Sequence, residues 1–529
     1  MKKKIGIIIG VLVLLGVGAG FVFMQSGNVS PLKPPVKTTR SLPSGEKPNI
    51  LFILTDDQDL ESLKYMPKLQ KYLVDQGTSF SNYLDNYALC CVARASILRG
   101  QNANNTQIKG NNPPRGGFEK FYELGMGGEK STIATWLQND GYDTAFIGKY
   151  LNGYGKTDKK KRADYADNPH LSKAYVPPGW DQWHATFTQG VYDYEMNENG
   201  KVVQYGSDPE DFKTDVLARK AIDYLEQRDG ESDPFFMHLS VLAPHSPATP
   251  APRHSSLFKD LAVPRTASFN EADVSDKPQW IQEQKPLSSK KIEELDEKYR
   301  NRLGSLQAVD EMIENIIQTL EKTGELDNTY IVFTTDNGFH LGQHRIDAGK
   351  QTLYEEDIHL PLIIRGPGVA QGHVVNDLVG NIDLAPTFLD LVGDQSKPVE
   401  FDGRSFAGLL SKDFPAPKTW RNGYLIGYEM DDNFEEGLKE EDKGDEDFLV
   451  GKDISKKGYA GVRTKNYMYA EFLNGDKELY DLRKDPLELN NMYKNADPGL
   501  VSSLQMMLAK LRVCAGESCK QAEEMPIKE

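Results

Sequence analysis

Four apolar segments, separated by stretches with helical spacing, constrain the fold of this 529-residue chain more than any other feature. Each is a mainly apolar run of the kind found in strands buried on both faces of a sheet. Strands that alternate with helices predict an α/β fold with a mostly parallel central sheet flanked by helices. The predicted strands are residues 49–55, 144–147, 235–242 and 330–335, and the predicted helices are residues 63–76, 131–140, 212–228 and 291–322.

The polar residues that follow these strands are the first candidates for a functional site. In open α/β sheets, ligands bind beyond the carboxyl ends of the strands, where residues from several strands meet. Oxygen ligands favour a hard divalent cation such as calcium or magnesium over zinc. Two adjacent carboxylates also repel each other unless a positive charge lies between them. The strand-end residues are Asp56, Asp57, Lys149, His245, Asp336 and Asn337.

The segment from Cys90 to Gly100 is the second candidate feature. Its spacing predicts a short helix with Cys90 in the first turn and Arg94 on the same face. A helix N-terminus presents free N–H groups and partial positive charge, which suit a nucleophile that acts on an anion. Thiol redox chemistry at Cys90 and Cys91 fits the pattern poorly, because the usual redox motif separates its cysteines by two residues.

The N-terminal 47 residues predict a membrane segment and a tether. Three lysines precede an apolar run over residues 5–24, which is long enough to span a bilayer with the lysines on the cytoplasmic side. A cleaved signal peptide is the alternative interpretation of residues 1–24. Residues 25–47 contain prolines, serines and threonines without a core-forming pattern, which is typical of a linker. Both interpretations place the rest of the chain outside the cytoplasm.

Charge and cysteine content exclude two further classes of protein. The net charge is −16 and no basic stripe is visible, so nucleic acid is not the expected partner. An anionic substrate must therefore be held by a local cationic pocket. The four cysteines are too few for a disulfide scaffold, although Cys514 and Cys519 could form a bridge in an oxidising compartment.

The pattern changes near residue 420. Residues 48–420 carry the strand–helix alternation and are predicted to form the catalytic domain. Short strands and turns follow, which predicts a smaller C-terminal α+β subdomain at 421–529 with an antiparallel sheet. The acidic run at 435–447 is predicted to be a solvated loop, with cation or partner binding as the alternative. The elements predicted here are strands at 459–464 and 478–482 and a helix at 497–512.

These motifs and their order resemble the sulfatase family of the alkaline-phosphatase-like superfamily. The resemblance covers roughly residues 47–520 and is greatest to the branch of glucosamine (N-acetyl)-6-sulfatases. Each motif alone is weak, whereas their shared order is specific. The segments that carry the resemblance are residues 48–59, 90–100, 148–152, 243–247, 336–338 and 514–519.

The resemblance implies a catalytic machinery. Cys90 would be converted to formylglycine by a maturation enzyme, and calcium, with magnesium as the alternative, would bind beside it. Arg94 and Lys149 would orient the formylglycine hydrate, while His245 and Lys350 would contact the sulfate and the leaving oxygen. One hydroxyl of the hydrate attacks sulfur, the alcohol leaves with a proton from Lys350 or His245, and the remaining hydroxyl then expels sulfate. The implied metal ligands are Asp56, Asp57, Cys90, Asp336 and Asn337.

The chain departs from the family pattern at three positions. Val92 stands where the family usually has proline or alanine, and Ala93 where it often has serine. Leu151 replaces a histidine that many sulfatases have two residues after the lysine, which leaves the base for the second step open. The sequence also leaves open whether His340 and His344 line the pocket or pack a loop.

The resulting hypothesis is a membrane-tethered, extracytoplasmic sulfatase that acts on sulfated carbohydrate, with 6-O-sulfated N-acetylglucosamine units as the expected substrate. The protein would be a single-pass protein of the cell membrane, or secreted if residues 1–24 are cleaved. Two alternatives remain open. One is a cell-surface relative that binds glycans without catalysis, and the other is a phosphatase or phosphodiesterase of the same superfamily, which would use serine or threonine and two metals.

Overall fold

The computed structural model describes residues 46–155, 169–411, 413–414, 416–429 and 458–528. Within them the strands are β1 Asn49–Asp56, β2 Thr78–Phe80, β3 Tyr83–Leu84, β4 Asp143–Lys149, β5 Gln182–Thr186, β6 Glu195–Glu198, β7 Lys201–Gln204, β8 Phe235–Pro244, β9 Thr329–Thr335, β10 His340–Leu341, β11 Ala348–Gly349, β12 His359–Leu360, β13 Leu362–Arg365, β14 His373–Val375, β15 Val379–Gly380, β16 Gly423–Tyr428, β17 Tyr459–Thr464, β18 Tyr467–Phe472 and β19 Lys477–Asp481. The α-helices are α1 Pro67–Leu69, α2 Cys90–Arg99, α3 Ala103–Thr106, α4 Gly117–Glu123, α5 Ile133–Asn139, α6 Lys213–Gln227, α7 Gln279–Gln282, α8 Ser289–Lys322, α9 Glu355–Ile358, α10 Leu384–Leu391, α11 Ala407–Leu410, α12 Pro498–Leu511 and α13 Glu517–Glu523.

A ten-stranded sheet forms the centre of the fold, in the order β14-β2-β13-β9-β1-β8-β4-β5-β6-β7. Its five middle strands, β9, β1, β8, β4 and β5, run parallel to one another. Antiparallel strands extend both sides, through β13 beside β9 and β6 beside β5. The predicted mostly parallel sheet is therefore confirmed, and all four predicted strands belong to its parallel centre.

Strand β1 shows why the middle of the sheet is apolar on both faces. Ile50, Phe52 and Leu54 point into a core with residues of α2, α5 and α10. Leu51 and Ile53 point into a second core with residues of α6 and α8. Since successive side chains of a strand point to opposite faces, a continuous apolar run is what a sheet covered on both sides requires. Helices therefore cover both faces, as the sequence predicts.

The predicted single helix over residues 63–76 is wrong. The structure has a 3-10 turn at Leu60–Tyr65, the short helix α1 and a π-helical turn at Gln70–Val74. Met66 lies between the first two of these elements with φ −116° and ψ 77°. The ring of Pro67 disfavours a helical conformation at the residue before it, so the helical pattern is broken at this point.

The C-terminal part of the chain forms a separate four-stranded antiparallel sheet, in the order β16-β17-β18-β19. Residues of α12 pack on it in a common apolar core, and Asp497 caps this helix by accepting from two of its first N–H groups. A disulfide joins Cys514 and Cys519. The predicted small α+β region with an antiparallel sheet is confirmed, whereas its boundary at residue 420 stays a prediction.

Three predictions fall outside the described residues. They are the membrane segment at 1–24, nearly all of the linker at 25–47 and the acidic run at 435–447. Among the residues that the structure describes, no helix combines the length and the apolar character needed to cross a membrane.

Lys213, in the first turn of α6, is buried with 1% exposure. Its Nζ donates to the carbonyl oxygen of Thr188 at 2.6 Å and lies 4.6 Å from the centre of the Tyr194 ring. Burial, followed by the nearby charge of Lys149, lowers the pKa of Lys213 to about 7. Folding therefore favours the neutral amine, and this part of the stability is lost as the pH falls from about 10.5 towards 7.

We expect Lys213→Met to be more stable than the wild type. The difference in melting temperature grows as the pH is lowered from about 10 to about 7, by roughly 1 °C for each kcal/mol in a chain of 529 residues. Thermal unfolding of both proteins at several pH values measures this difference. A difference that stays constant over the same pH range would show that Lys213 is charged in the folded protein.

Candidate active site

The carboxyl ends of β1, β4, β8 and β9 meet at one edge of the parallel sheet, as their order requires. The N-terminus of α2 and the loop after β11 face the same edge and add the remaining predicted residues. The structure thus brings the whole predicted set together, and every member has an exposure of 3% or less except Lys149, whose side chain is 13% exposed. The set is Asp56, Asp57, Cys90, Arg94, Lys149, His245, Asp336, Asn337 and Lys350.

Three buried carboxylates form the floor of the site. Asp56, Asp57 and Asp336 each offer an oxygen, and these oxygens lie within 4.8 Å of one another. Asn337 donates its amide to Asp57 Oδ1 at 2.6 Å. Asp336 Oδ1 accepts the backbone N–H groups of Asp57 and Asn337 at 3.1 and 2.8 Å. A concentration of buried negative charge of this kind requires positive charge around it.

Arg94 supplies one of the balancing charges from the second turn of α2. Its Nε donates to Asp336 Oδ2 at 2.7 Å and its Nη2 to Asp56 Oδ2 at 3.1 Å. Its Nη1 donates to Ser240 Oγ and to the carbonyl oxygen of Lys149, both at 2.7 Å. A planar guanidinium with several donors fits such a set of acceptors better than an ammonium does. Arg94 thus fixes the strand-end carboxylates relative to the helix that carries Cys90.

Two lysines supply the rest of the positive charge around the three carboxylates. Lys149 Nζ forms an ion pair with Asp56. Lys350 Nζ lies 2.6 and 2.8 Å from the two carboxylate oxygens of Asp57 and 2.9 Å from Cys90 Sγ. Cys90 Sγ is 3.6 Å from Asp56 Oδ1 and 3.8 Å from Asp57 Oδ1. A positive charge therefore already lies between Asp57 and the first residue of α2.

The surroundings shift the pKa values of these groups in opposite directions. Burial raises the pKa of the Cys90 thiol well above its usual value, so the thiol is neutral. Burial also acts to raise the pKa of Asp56, but the charges of Lys149 and Arg94 outweigh it and hold that pKa below its usual range. Burial acts to lower the pKa of Lys149, and Asp56 in turn raises it above its usual value. Asp56 and Lys149 are therefore charged, whereas the Cys90 thiol is not ionised.

Three histidines near the site have different surroundings. His245 follows β8, and its Nε2 lies 3.7 Å from Asp57 Oδ2. His340 and His344 instead bond through Nδ1 to Asp357 at 2.8 Å and to Glu271 at 2.6 Å. The two rings are buried in the loop that leads to Lys350. These contacts support loop packing for both residues, the other of the two interpretations being pocket lining.

Sequence reasoning missed three residues that hold the site together. Ser240 lies inside β8, where its Oγ donates to the Lys149 carbonyl oxygen and accepts from Arg94. Arg302, inside α8, donates to the carbonyl oxygen of Asp57. Asn111 accepts the N–H of Cys91 through Oδ1 at 3.0 Å. Only the buried position of Arg302 on α8, among apolar helix residues, offered a signal. The other two have no distinctive local pattern.

Three carboxylates, two lysines and an arginine surround the first residue of a helix at the carboxyl edge of a parallel sheet. This arrangement can hold a cation, bind an anion and stabilise negative charge that develops on an oxygen. It fits the class of hydrolases that act on anionic esters, here built on an α/β fold.

The chain belongs to the sulfatase family, and it is a sulfuric ester hydrolase. The family model named Sulfatase matches residues 48–394. An N-acetylglucosamine-6-sulfatase of Capra hircus is 34% identical over 90% of this chain and 85% of its own length. An extracellular sulfatase of Drosophila melanogaster is 36% identical over 72% of this chain and 33% of its own length. A solved protein in complex with its substrate D-glucosamine-2-N,6-O-disulfate has a TM-score of 0.70 and 26% identity, covering 91% of this chain and 100% of its own.

Proposed function

We propose that this enzyme removes the 6-O-sulfate of N-acetylglucosamine units in sulfated carbohydrate, outside the cytoplasm. The observation that carries the proposal is the convergence of Asp56, Asp57 and Asp336 with Lys350 and Cys90 at the N-terminus of α2. The N-acetylglucosamine-6-sulfatase relative and the solved complex with a 6-O-sulfated glucosamine support this choice of sugar. The buried positive groups supply the cationic pocket that an acidic protein needs for an anionic substrate.

We assign a calcium site, which magnesium could also fill, to Asp56, Asp57, Asp336 and Asn337 beside Cys90. The donor set consists of hard oxygens, as these ions prefer. Asn337 Oδ1 is buried and has no hydrogen-bond partner among the described residues. The two ends of an amide are assigned from the hydrogen-bond network, and a cation beside Asp57 would turn this oxygen towards it. When bound, the ion would polarise a sulfate oxygen and offset charge in the transition state.

The nucleophile is assigned to formylglycine made from Cys90 by a maturation enzyme. The thiol itself is a poor nucleophile, because burial keeps it protonated. As an aldehyde hydrate, the converted residue would supply a hydroxyl group for attack on sulfur. Position 90 suits that task, since it begins α2, where backbone N–H groups favour a nearby anion.

The contacts support the remaining proposed roles. Arg94 fixes Asp56 and Asp336 through short hydrogen bonds, and Lys149 balances the charge of Asp56 beside the nucleophile. Lys350 Nζ lies 2.9 Å from Cys90 Sγ, so it can donate a proton to an ester oxygen bound there. His245 lies on the Asp57 side of the site and can bind the same sulfate group.

The cellular location is part of the proposal. The relatives include extracellular sulfatases, which supports a position outside the cytoplasm. We propose that residues 1–24 tether the catalytic region to the cell membrane as a single-pass segment, or release it as a secreted enzyme if they are cleaved. The partners are then the sulfated carbohydrate and the maturation enzyme.

Peptide mass spectrometry of the segment that contains Cys90 tests the nucleophile directly. In protein purified from its native host, we expect the mass of an aldehyde or its hydrate in place of the thiol. The peptide that contains Cys514 and Cys519 serves as an internal control for cysteine chemistry during preparation. An unmodified Cys90 throughout active protein would refute the formylglycine assignment.

Substrate choice provides a second test of the proposed function. We expect kcat/KM to be at least about tenfold higher for a 6-O-sulfated N-acetylglucosamine than for the same sugar sulfated at another hydroxyl, because a pocket that positions the sugar discriminates by transition-state contacts. Initial rates on matched monosaccharide sulfates and on an aryl phosphodiester measure this preference. Faster turnover of the phosphodiester would favour the phosphodiesterase alternative.

A further inference from the structure

We propose that Arg302 is a positioning residue that ties the Asp57 loop, the His245 loop and the Phe339 loop into one rigid site, an inference that rests on the proposed function. Arg302 lies in the middle of α8 and is 2% exposed. Its Nη2 donates to the carbonyl oxygen of Asp57, and its Nη1 to the carbonyl oxygen of Pro244 at 3.3 Å. Asp57 is the first residue after β1, and Pro244 is the last residue of β8, immediately before the His245 loop.

The backbone of Asp57 has an unfavourable conformation that these hydrogen bonds stabilise. Its φ is +62°, in the left-handed region that residues with a side chain seldom adopt. Its N–H is accepted by Asp336 Oδ1 at 3.1 Å, and its carbonyl oxygen is held by Arg302. Hydrogen bonds on both sides of the residue thus maintain a conformation that aims the carboxylate at Lys350 and Cys90.

Different contacts restrain the His245 loop and the Phe339 loop. Pro244 immediately precedes His245, so the bond to its carbonyl oxygen restrains the start of the histidine loop. Lys298 lies one helical turn before Arg302, and its Nζ is 3.5 Å from Ser246 Oγ, on the other side of His245. The third loop follows Asn337, and its Phe339 ring lies 4.0 Å from the Arg302 guanidinium carbon.

The charge and shape of the side chain both matter. Asp59 Oδ2 lies 3.3 Å from Arg302 Nη2 and provides a nearby negative charge for the buried cation. A guanidinium is planar, so it can donate to two carbonyl groups in one plane while its face lies on an aromatic ring. A lysine would keep the charge but has a single nitrogen, which cannot reach both carbonyl groups in the same way. Lysine is therefore the informative substitution.

Arg302→Lys tests the proposal, with Arg300→Lys as its matched control. Arg300 lies on the same helix and donates to the carbonyl oxygen of Leu261 at 3.0 Å, a residue that belongs to none of the three loops. We expect Arg302→Lys to lower kcat for an aryl sulfate by about 10–100-fold, because misplacement of catalytic groups by about 1 Å costs up to this much. KM should change by less than about threefold. Arg300→Lys should match the wild type in both values.

Calcium binding gives a readout that does not depend on turnover. The calcium concentration that gives half of the maximal rise in melting temperature should increase in Arg302→Lys and stay unchanged in Arg300→Lys. Wild-type values of kcat, KM and calcium response in Arg302→Lys would overturn the inference. A general loss of stability with an unchanged calcium response and kcat would assign Arg302 to packing alone, which also overturns it.

Two further comparisons apply if Arg302→Lys does not fold or if the wild type is not a sulfatase. If Arg302→Lys does not fold, Phe339→Leu retains the arginine and removes only the ring beneath it; a smaller fall in kcat in the same direction supports the inference, and no fall overturns it. If the wild type hydrolyses no sulfate ester, the proposed function fails, whereas the comparison of calcium responses still decides the role of Arg302.

Discussion

We expect Cys90→Ala to lower kcat/KM for an aryl sulfate by at least about 10⁴-fold, because the substitution removes the proposed covalent nucleophile. The methyl group cannot be converted to an aldehyde, and no other buried thiol or hydroxyl takes its place at the first position of α2. The fold should survive, because Cys90 forms no disulfide and its Sγ forms hydrogen bonds with Asp56, Asp57 and Lys350 of the site. Initial rates and circular dichroism of the purified variant measure both effects.

The neighbouring Cys91→Ala is the matched control. Cys91 is equally buried and also a free cysteine, but it belongs to the apolar core rather than to the site. Loss of its sulfur removes a small apolar group, so we expect a lower melting temperature with most of the activity retained. Equal loss of activity in the two variants would indicate that the helix, and not Cys90 itself, is required.

Asp336→Asn is the second substitution with a large expected effect. Asp336 accepts from Arg94 Nε at 2.7 Å and from two backbone N–H groups, and it is one of three carboxylates in the proposed calcium site. The amide keeps the shape but removes the charge. We expect a loss of at least about 10²–10³-fold in kcat/KM, comparable to the removal of a group that stabilises charge in a transition state.

The same variant should lose its response to calcium. In the wild type, a free calcium concentration of about 100 times Kd would stabilise the fold by about 2.7 kcal/mol, and a chelator would reverse this. Thermal unfolding with calcium and with chelator measures the difference. Asp310→Asn is the control, because Asp310 is a buried carboxylate that accepts from the N–H groups of Lys68 and Leu69, outside the site. A calcium response that persists in Asp336→Asn would contradict the assigned ligand set.

The sequence predicts the strand ends of this site well, for a physical reason. A parallel sheet places the carboxyl ends of its strands at one edge, so residues such as Asp56 and Asp336 are brought together by topology once the strands are identified. Lys350 is different, since it lies on a loop after the two-residue strand β11. No periodicity specifies such a loop, and only the resemblance to a family indicated its place.

Local patterns also explain what was missed. The position of Arg302 among apolar helix residues indicates burial but not its partners, because Asp57 and Pro244 are 245 and 58 residues away in sequence. Ser240 is one polar residue within an apolar strand. The break in the predicted helix at Pro67 could have been found from the sequence, since the restriction that proline places on the preceding residue is local. The spacing of apolar residues along the chain does not predict polar contacts between residues that are far apart in sequence.

The complete burial of α2 has a consequence for the timing of biosynthesis. All ten residues of the helix are buried, and Cys90 is 1% exposed. An enzyme that modifies the sulfur must bind the residues around Cys90, and these residues are inaccessible in the folded protein. The proposed conversion must therefore precede folding, so that modification and folding compete in time. A chain that folds before conversion would be stable, correctly shaped and permanently inactive. The yield of active enzyme would therefore depend on how fast the maturation enzyme binds the nascent chain.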